Sequence, residues 1–290
     1  MTAGPHTYEP SVPIWCAGCG HFGALNALQA SLRDLEIPDH EVLILAGIGC
    51  SGTIQNYLST YGYHALHGRV LPAAAGVALA NPGLTVIGAG GDGDGYAIGV
   101  GHLVHAFRRN TSFAYIVMNN ETYGLTKGQL SPSRLLTGAE GGEGSLDAAL
   151  LGLSIPATTF VARGYGGWFE QLVRLTRAAL EHARGGHGFA FLEVVSPCIT
   201  YQDTYPRWEH VLHNVDADPA HDPEDRAGAF ALATSLAAEG RLPAGLLYHA
   251  PAGASPAAER PAPAHAAIDP ASLAERYEAL LDRYAVAPSG

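Results

Sequence analysis

An apolar run from Leu84 to Ala89 leads into Gly91-Asp92-Gly93-Asp94-Gly95. The stretch Tyr96 to Arg109, helical in length and polarity, follows it, and a second apolar run, Phe113 to Met118, ends in Asn119-Asn120-Glu121-Thr122-Tyr123-Gly124. Short apolar runs bounded by glycine read as buried strands, so this is strand, Gly-rich loop, helix, strand. Two strands joined through a helix lie parallel, and loop and strand end then meet at the carboxyl edge of the sheet, where open α/β folds bind ligands. The expected fold class is therefore α/β, a doubly wound, mostly parallel sheet.

The loop carries its own chemistry. A diphosphate is held through a divalent metal, and magnesium asks for hard oxygen donors in a tight octahedron. Asp92 offers a carboxylate, Asn120 an amide oxygen and Thr122 its backbone carbonyl. Glycines let the backbone approach phosphate, and the amides at the helix start face the negative charge. Read alone, the loop also fits a Gly/Asp turn or a calcium-binding loop. The downstream strand ending in Asn-Asn points instead to thiamine diphosphate with Mg2+.

The chain has four cysteines, Cys16, Cys19, Cys50 and Cys198. Four thiolates are what a [4Fe-4S] cluster or a structural zinc takes. Cys16 and Cys19 form a C-x-x-C pair among small residues, Cys50 follows the apolar run Val42 to Ile48, and Cys198 follows Phe189 to Val195. Each of the last two sits just past an expected strand, which puts both on the edge that carries Asp92. Spacing leaves open zinc, or a redox pair with two buried cysteines; a secreted disulfide scaffold does not suit a chain so long and so poor in cysteine.

These pieces occur together in order: WCAGCGHFG at Trp15 to Gly23, GIGCSG at Gly47 to Gly52, HGRVLP at His67 to Pro72, GDGDG at Gly91 to Gly95, NNETYGLTKGQLSP at Asn119 to Pro132 and SPC at Ser196 to Cys198. In them the chain resembles the β subunit of the 2-oxoacid:ferredoxin oxidoreductases, particularly the 2-oxoglutarate-type members. The resemblance implies the diphosphate-binding domain of thiamine diphosphate enzymes, with Cys16, Cys19, Cys50 and Cys198 on a [4Fe-4S] cluster and Asp92, Asn120 and the Thr122 carbonyl on Mg2+. It further implies that Ile48, Gly49, Cys50, Ser51, His67, Gly93, Asp94, Gly124 and Leu125 line the thiamine diphosphate. The implied reaction is oxidative decarboxylation of a 2-oxoacid, 2-oxoglutarate favoured, with coenzyme A to acyl-CoA and carbon dioxide, electrons passing through the cluster to ferredoxin. An α subunit is implied as partner, supplying the glutamate that activates the cofactor and most of the substrate pocket. Pyruvate or branched-chain specificity, a non-oxidative thiamine diphosphate decarboxylase subunit, and a zinc-stabilised non-catalytic subunit are the rival readings.

Two positions depart from the family pattern. Ala17 stands where relatives often have Pro, and Lys127 stands where many pyruvate-type relatives have Gly. Lys127 is the only lysine among 16 Lys and Arg residues. One compact ammonium kept beside the cofactor loop of an arginine-using chain reads as a contact to a substrate carboxylate or to coenzyme A phosphate; the bland alternative is a solvated loop lysine. Among 14 histidines, only His67 is singled out by its motif, and His21 reads as structural. Arg69 reads as a phosphate contact or a structural ion pair.

The net charge of −11 disfavours nucleic acid, no apolar run approaches membrane-spanning length, and thiol chemistry of this kind belongs in a reducing cytoplasm. Residues 1–215 read as the cofactor-binding α/β domain and 216–290 as a C-terminal extension. Within the extension, 251–270 is a Pro/Ala-rich linker. The capping box of Ser272 and Glu275 opens a last helix along Leu273, Tyr277, Leu280, Leu281 and Tyr284. Helices are also expected over Gly20 to Leu35, Val70 to Ala80 and Trp168 to Arg184, a short strand over Thr159 to Ala162, and a surface loop over Ser131 to Ser145.

Overall fold

In the computed structural model, residues 10–133, 145–201, 203–251, 253 and 277–279 are described. The chain separates into two compact units, Met1–Ala258 and Glu259–Gly290. The first holds an eight-stranded sheet. Its strands are β1 (Val42–Ala46), β2 (Tyr61–His64), β3 (Thr85–Gly91), β4 (Ala114–Asn119), β7 (Phe160–Tyr165), β8 (Ala190–Val195), β9 (Leu212–Asn214) and β10 (Leu242–His249), in the order β2-β1-β3-β4-β8-β7-β10-β9. From β2 to β7 every pairing is parallel. The pair β5 (Thr122–Tyr123) and β6 (Gln129–Leu130) forms a separate antiparallel ribbon beyond β4.

Both faces of the sheet are covered, which is why its strands read as continuous apolar runs. On one face α1 (His21–Asp34) and α5 (Phe169–Arg184) pack Leu25, Leu28, Leu172 and Leu175 against Ile44, Ile87 and Ile116. On the other, α2 (Val70–Ala80), α3 (Val100–Arg109), α4 (Ala148–Ser154) and α7 (Arg226–Ala238) cover Leu45, Val86, Tyr115 and Phe191. Along β4 the alternation is strict: Ala114, Ile116 and Met118 enter the first core, Tyr115 and Val117 the second. Each large apolar side chain so buried contributes about 1.5–3 kcal/mol. A short helix, α6 (Tyr205–Val211), follows the last cysteine loop and sets Trp208 into a third, smaller core with Tyr165 and Leu242. Among the described residues no helix is long and apolar enough to cross a membrane.

Two expectations are corrected here. Tyr96 to Arg109 is not one helix: Gly93–Ile98 winds as a wider π-turn and α3 begins only at Val100. The junction is Gly99, where a Cβ would stand 2.5 Å from the Asp94 carbonyl oxygen, so the wide turn is packed too closely for any side chain there. Nor does the sheet end near 216, since β10 adds antiparallel to β7 and carries β9 beyond it. Pro243 and Gly245, the latter at φ 141°, hide this strand from propensity. The expected 251–270 linker and last helix lie outside the described residues apart from 251, 253 and 277–279; the last three are helical.

A fully buried arginine adds to the ladder that joins β10 to β7. Arg163 on β7 donates through Nε to Glu193 of β8 at 2.5 Å, through Nη2 to Asp147 at 2.7 Å and through Nη1 to the Pro243 carbonyl at 3.2 Å. Asp147 in turn caps α4 by accepting from the Ala149 and Leu150 amides. Arg163→Leu strands two carboxylates below the sheet's surface, and we expect urea denaturation to report a loss of about 3–5 kcal/mol in unfolding free energy.

Candidate functional site

Because β1, β3, β4 and β8 are parallel, the segments that follow them emerge on one edge: Gly47 to Cys50 after β1, Asp92 and the π-turn after β3, Asn120 after β4, and Ser196 to Cys198 after β8. Asp94 organises this edge. Its Oδ1 accepts from the Ile48 amide at 3.0 Å, the Gly68 amide at 2.8 Å and His67 Nδ1–H at 2.8 Å, which ties the loops after β1 and β2 to the π-turn. A Cβ at Gly47 would fall 2.3 Å from Asp94 Oδ2, so the loop reaches this carboxylate only as glycine. The Oδ2 atom itself is buried and has no hydrogen-bond partner among the described residues. Asp94 also lines a cavity.

That cavity has a volume of about 220 Å³. Ile48, Gly49, Cys50, Ser51, His67, Gly93, Asp94, Gly124 and Leu125, singled out from sequence as cofactor contacts, all line it, as do Asp92, Asn120 and Thr122. So do His21, Met118, Tyr123 and Thr126, which sequence reasoning did not assign to it. Asp92 is buried, and burial pushes its carboxyl up from the ordinary range while the Ser131 and Ser133 hydroxyls oppose the shift by donating to Oδ2, Ser133 at 2.5 Å. Ser131 and Ser133 are themselves buried, which corrects the reading of a surface loop at its first residues; residues 134–144 of that loop lie outside the described residues. The amide oxygen of Asn120 accepts from the Thr122 amide at 3.2 Å and keeps a second lone pair for a metal. Carboxylate, amide oxygen and the adjacent Thr122 backbone therefore form a hard-oxygen set suited to Mg2+.

Cys50 lines the cavity, and the other three thiols lie near enough to influence it or Cys19. Burial pushes the Cys19 thiol up to about 11, a hydrogen bond from the His21 backbone offsets part of this, and the nearby Cys198, Cys50 and Cys16 sulfurs push further. Cys50 is raised by burial and again by Cys198 and Cys16. The sulfurs thus lie within electrostatic reach of one another, although among the described residues no three His, Cys, Asp or Glu side chains are arranged to hold a single metal ion. A cluster with one thiolate on each of four irons spreads its ligands wider than a tetrahedral zinc, whose Zn–S bonds are about 2.3 Å. Trp15 braces the gathering: its indole N–H donates to the Cys50 carbonyl at 2.7 Å, and its ring meets His21, Phe22 and Tyr57 edge-on.

His21 is buried and packed edge-on against Trp15, as a structural residue would be. It lines the cavity, its Nδ1 shares a 2.5 Å hydrogen bond with Ser196 Oγ, and burial pulls its pKa down to about 4, so the ring is neutral at ordinary pH. Arg69 is exposed, does not line the cavity and donates to the Gly68 carbonyl. Lys127 is exposed, next to the lining residue Thr126, and its backbone is left-handed at φ 76°. Holding a non-glycine residue there costs on the order of 1–3 kcal/mol.

Comparison with known proteins agrees with this fold. Residues 47–194 match the family model of the C-terminal TPP-binding domain of thiamine pyrophosphate enzymes. The chain is 39% identical over 250 residues to a 2-oxoacid:ferredoxin oxidoreductase subunit beta of Saccharolobus solfataricus, covering 81% of each chain. It is 38% identical over 203 residues to a 2-oxoglutarate synthase subunit KorB of Archaeoglobus fulgidus, covering 67% of this chain and 72% of that one. Among solved structures, a 2-oxoglutarate:ferredoxin oxidoreductase from Magnetococcus marinus, with 2-oxoglutarate, coenzyme A and succinyl-CoA bound, superimposes with a TM-score of 0.76 at 35% identity, over 87% of this chain and 86% of that one.

The Asp94 contacts set an expectation. Asp94→Ala leaves the buried Gly68 amide without an acceptor, at about 1–3 kcal/mol, and frees the Ile48 loop. Gly47→Ala, which removes no polar group, should destabilise in the same direction by displacing Asp94. Urea denaturation of both variants checks this.

Proposed function

We infer what this site does from one premise: the chain belongs to the β subunits of the 2-oxoacid:ferredoxin oxidoreductases. It is the thiamine diphosphate-binding subunit of an enzyme that, with an α partner, oxidatively decarboxylates a 2-oxoacid, forms the acyl-CoA and passes electrons to ferredoxin. The substrate we assign is 2-oxoglutarate, in line with relatives named as 2-oxoglutarate enzymes and with the solved structure that holds 2-oxoglutarate and succinyl-CoA. Bound thiamine diphosphate supplies the thiazolium carbon that adds to the 2-oxo group and takes up the electron pair released with carbon dioxide.

The residues of this chain then have distinct tasks. Asp92, Asn120 and the Thr122 carbonyl would hold Mg2+, and Gly93, whose Cβ would lie 2.3 Å from the Tyr123 ring, keeps the turn close enough for its amides to meet phosphate. His67, oriented by Asp94, faces the same cavity. Cys16, Cys19, Cys50 and Cys198 would bind a [4Fe-4S] cluster. The observation that carries the assignment is Cys50, which both lines the cavity and is charge-coupled to the other thiols. An electron acceptor held there adjoins the site where electrons are released. Such thiolates persist in a reducing compartment, which favours the cytoplasm.

Lys127 is assigned to the substrate's distal carboxylate or to coenzyme A phosphate. Its strained backbone supports this, because a glycine would relax there and the chain keeps its single lysine instead. A contact to the distal carboxylate predicts that Lys127→Met raises KM for 2-oxoglutarate at least tenfold, equivalent to about 1.4 kcal/mol, while KM for pyruvate stays constant; a contact to coenzyme A phosphate predicts the same rise in KM for coenzyme A with either oxoacid. Equal kinetics of both enzymes on both oxoacids would remove Lys127 from the site. The reaction itself is tested on the anaerobically purified complex with its α partner: viologen reduction by 2-oxoglutarate should require coenzyme A and release carbon dioxide. A complex that contains iron and thiamine diphosphate yet ignores 2-oxoglutarate overturns the substrate, and an intact complex lacking both cofactors overturns the function.

A further inference from the structure

The turn that carries the expected Mg2+ ligands has an unusual residue at its centre. Glu121, between Asn120 and Thr122, is left-handed at φ 58° and only 1% exposed. A buried carboxylate needs a cationic partner, and a left-handed glutamate needs surroundings that hold it so. Arg207 of α6 meets the first need with two bonds, Nη1 to Oε2 at 2.9 Å and Nη2 to Oε1 at 3.4 Å. The guanidinium is fixed in its turn, 4.4 Å above the ring of Trp208, whose indole N–H donates to Thr204 Oγ1 at 3.0 Å. Planar, stacked and bidentate, this is a geometry that lysine cannot reproduce.

The same helix reaches the thiols. Tyr205 donates its hydroxyl to the Gly18 carbonyl at 3.0 Å, inside the C-x-x-C loop, where Gly18 is left-handed at φ 80°. Residues two apart on a helix point to opposite sides, so one rigid turn anchored by Trp208 in the third core can touch both loops at once. We propose that α6 is a positioning clamp shared by the two cofactor loops: Arg207, through Glu121, sets Asn120 and Thr122 for the metal, and Tyr205, through Gly18, sets the Cys16–Cys19 loop for the cluster. Neither residue lines the cavity; both act through the loops they hold. The proposal rests on the assignment of Mg2+, thiamine diphosphate and cluster made above.

The test uses the intact complex with its α partner, titrated with Mg2+ at fixed thiamine diphosphate and followed by tryptophan fluorescence, alongside iron content and an EPR-monitored redox titration of the cluster. Arg207→Met should weaken Mg2+ at least tenfold with iron content unchanged, and Arg207→Lys should recover part of that loss. Tyr205→Phe should leave Mg2+ affinity unchanged and shift the cluster midpoint. Should Arg207→Met fail to fold, Glu121→Gln, which keeps the shape and loses the charge, is expected to weaken Mg2+ in the same direction. Wild-type Mg2+ affinity in the folded Arg207 or Glu121 variants, or an unshifted midpoint in Tyr205→Phe, overturns the clamp. Failure of the wild-type complex to bind thiamine diphosphate with Mg2+ overturns the underlying assignment instead.

Discussion

The Asp94 carboxylate is the point from which the carboxyl edge of this sheet is built. Three donors from two different loops converge on one of its oxygens, and a glycine at 47 is required for the nearer loop to reach it. Asp94 can stand there because the chain leaves β3 as a wide π-turn rather than an α-helix, closed by Gly99 against its own backbone. A charge buried this way would be expensive if unpaired; two amides and an imidazole satisfy one oxygen, and the residue lines the cavity. Binding and loop order are therefore linked through a single side chain.

Beneath the edge runs a continuous polar chain. Ser133 bonds both Asp92 and Asn119, Asn119 donates to Glu193, Glu193 also accepts from Tyr96 and Arg163, and Arg163 reaches Asp147 at the start of α4. It crosses β4, β8 and β7 at a level where an ordinary parallel sheet would be apolar. Fully satisfied networks in low dielectric are rigid, and partly satisfied ones are costly. This one holds Asp92, an expected metal ligand, and Asn119, next to another, against the most buried part of the fold. The clamp through Arg207 and Glu121 does the same from the solvent side.

Much of this arrangement is local and so can be read from the chain. Apolar runs flanked by glycine specify β3 and β4, the glycines at 91, 93 and 95 specify a tight approach, and Asp92 and Asn120 follow at the ends of strands that must be neighbours. Cys50 and Cys198 likewise fall at strand ends, which fixes the edge they share. What stayed hidden involves pairing between distant segments: Ser131 and Ser133 on Asp92, His21 on Ser196, Arg163 on Glu193, Arg207 on Glu121. A serine in a polar loop looks solvated until a carboxylate is found above it.

The strand β10 was hidden for another reason. Its proline and left-handed glycine argue against a strand, and it forms because the antiparallel edge of β7 and the side chain of Arg163 accept those irregularities. From sequence alone the doubly wound class and the sheet edge at which Asp92, Asn120, Cys50 and Cys198 meet were determined, because turn chemistry and hydrophobic period act over a few residues. Tertiary structure alone decided which polar side chains are buried together, since a buried hydrogen bond depends on two segments arriving within about 3 Å of each other and leaves no trace in either segment by itself.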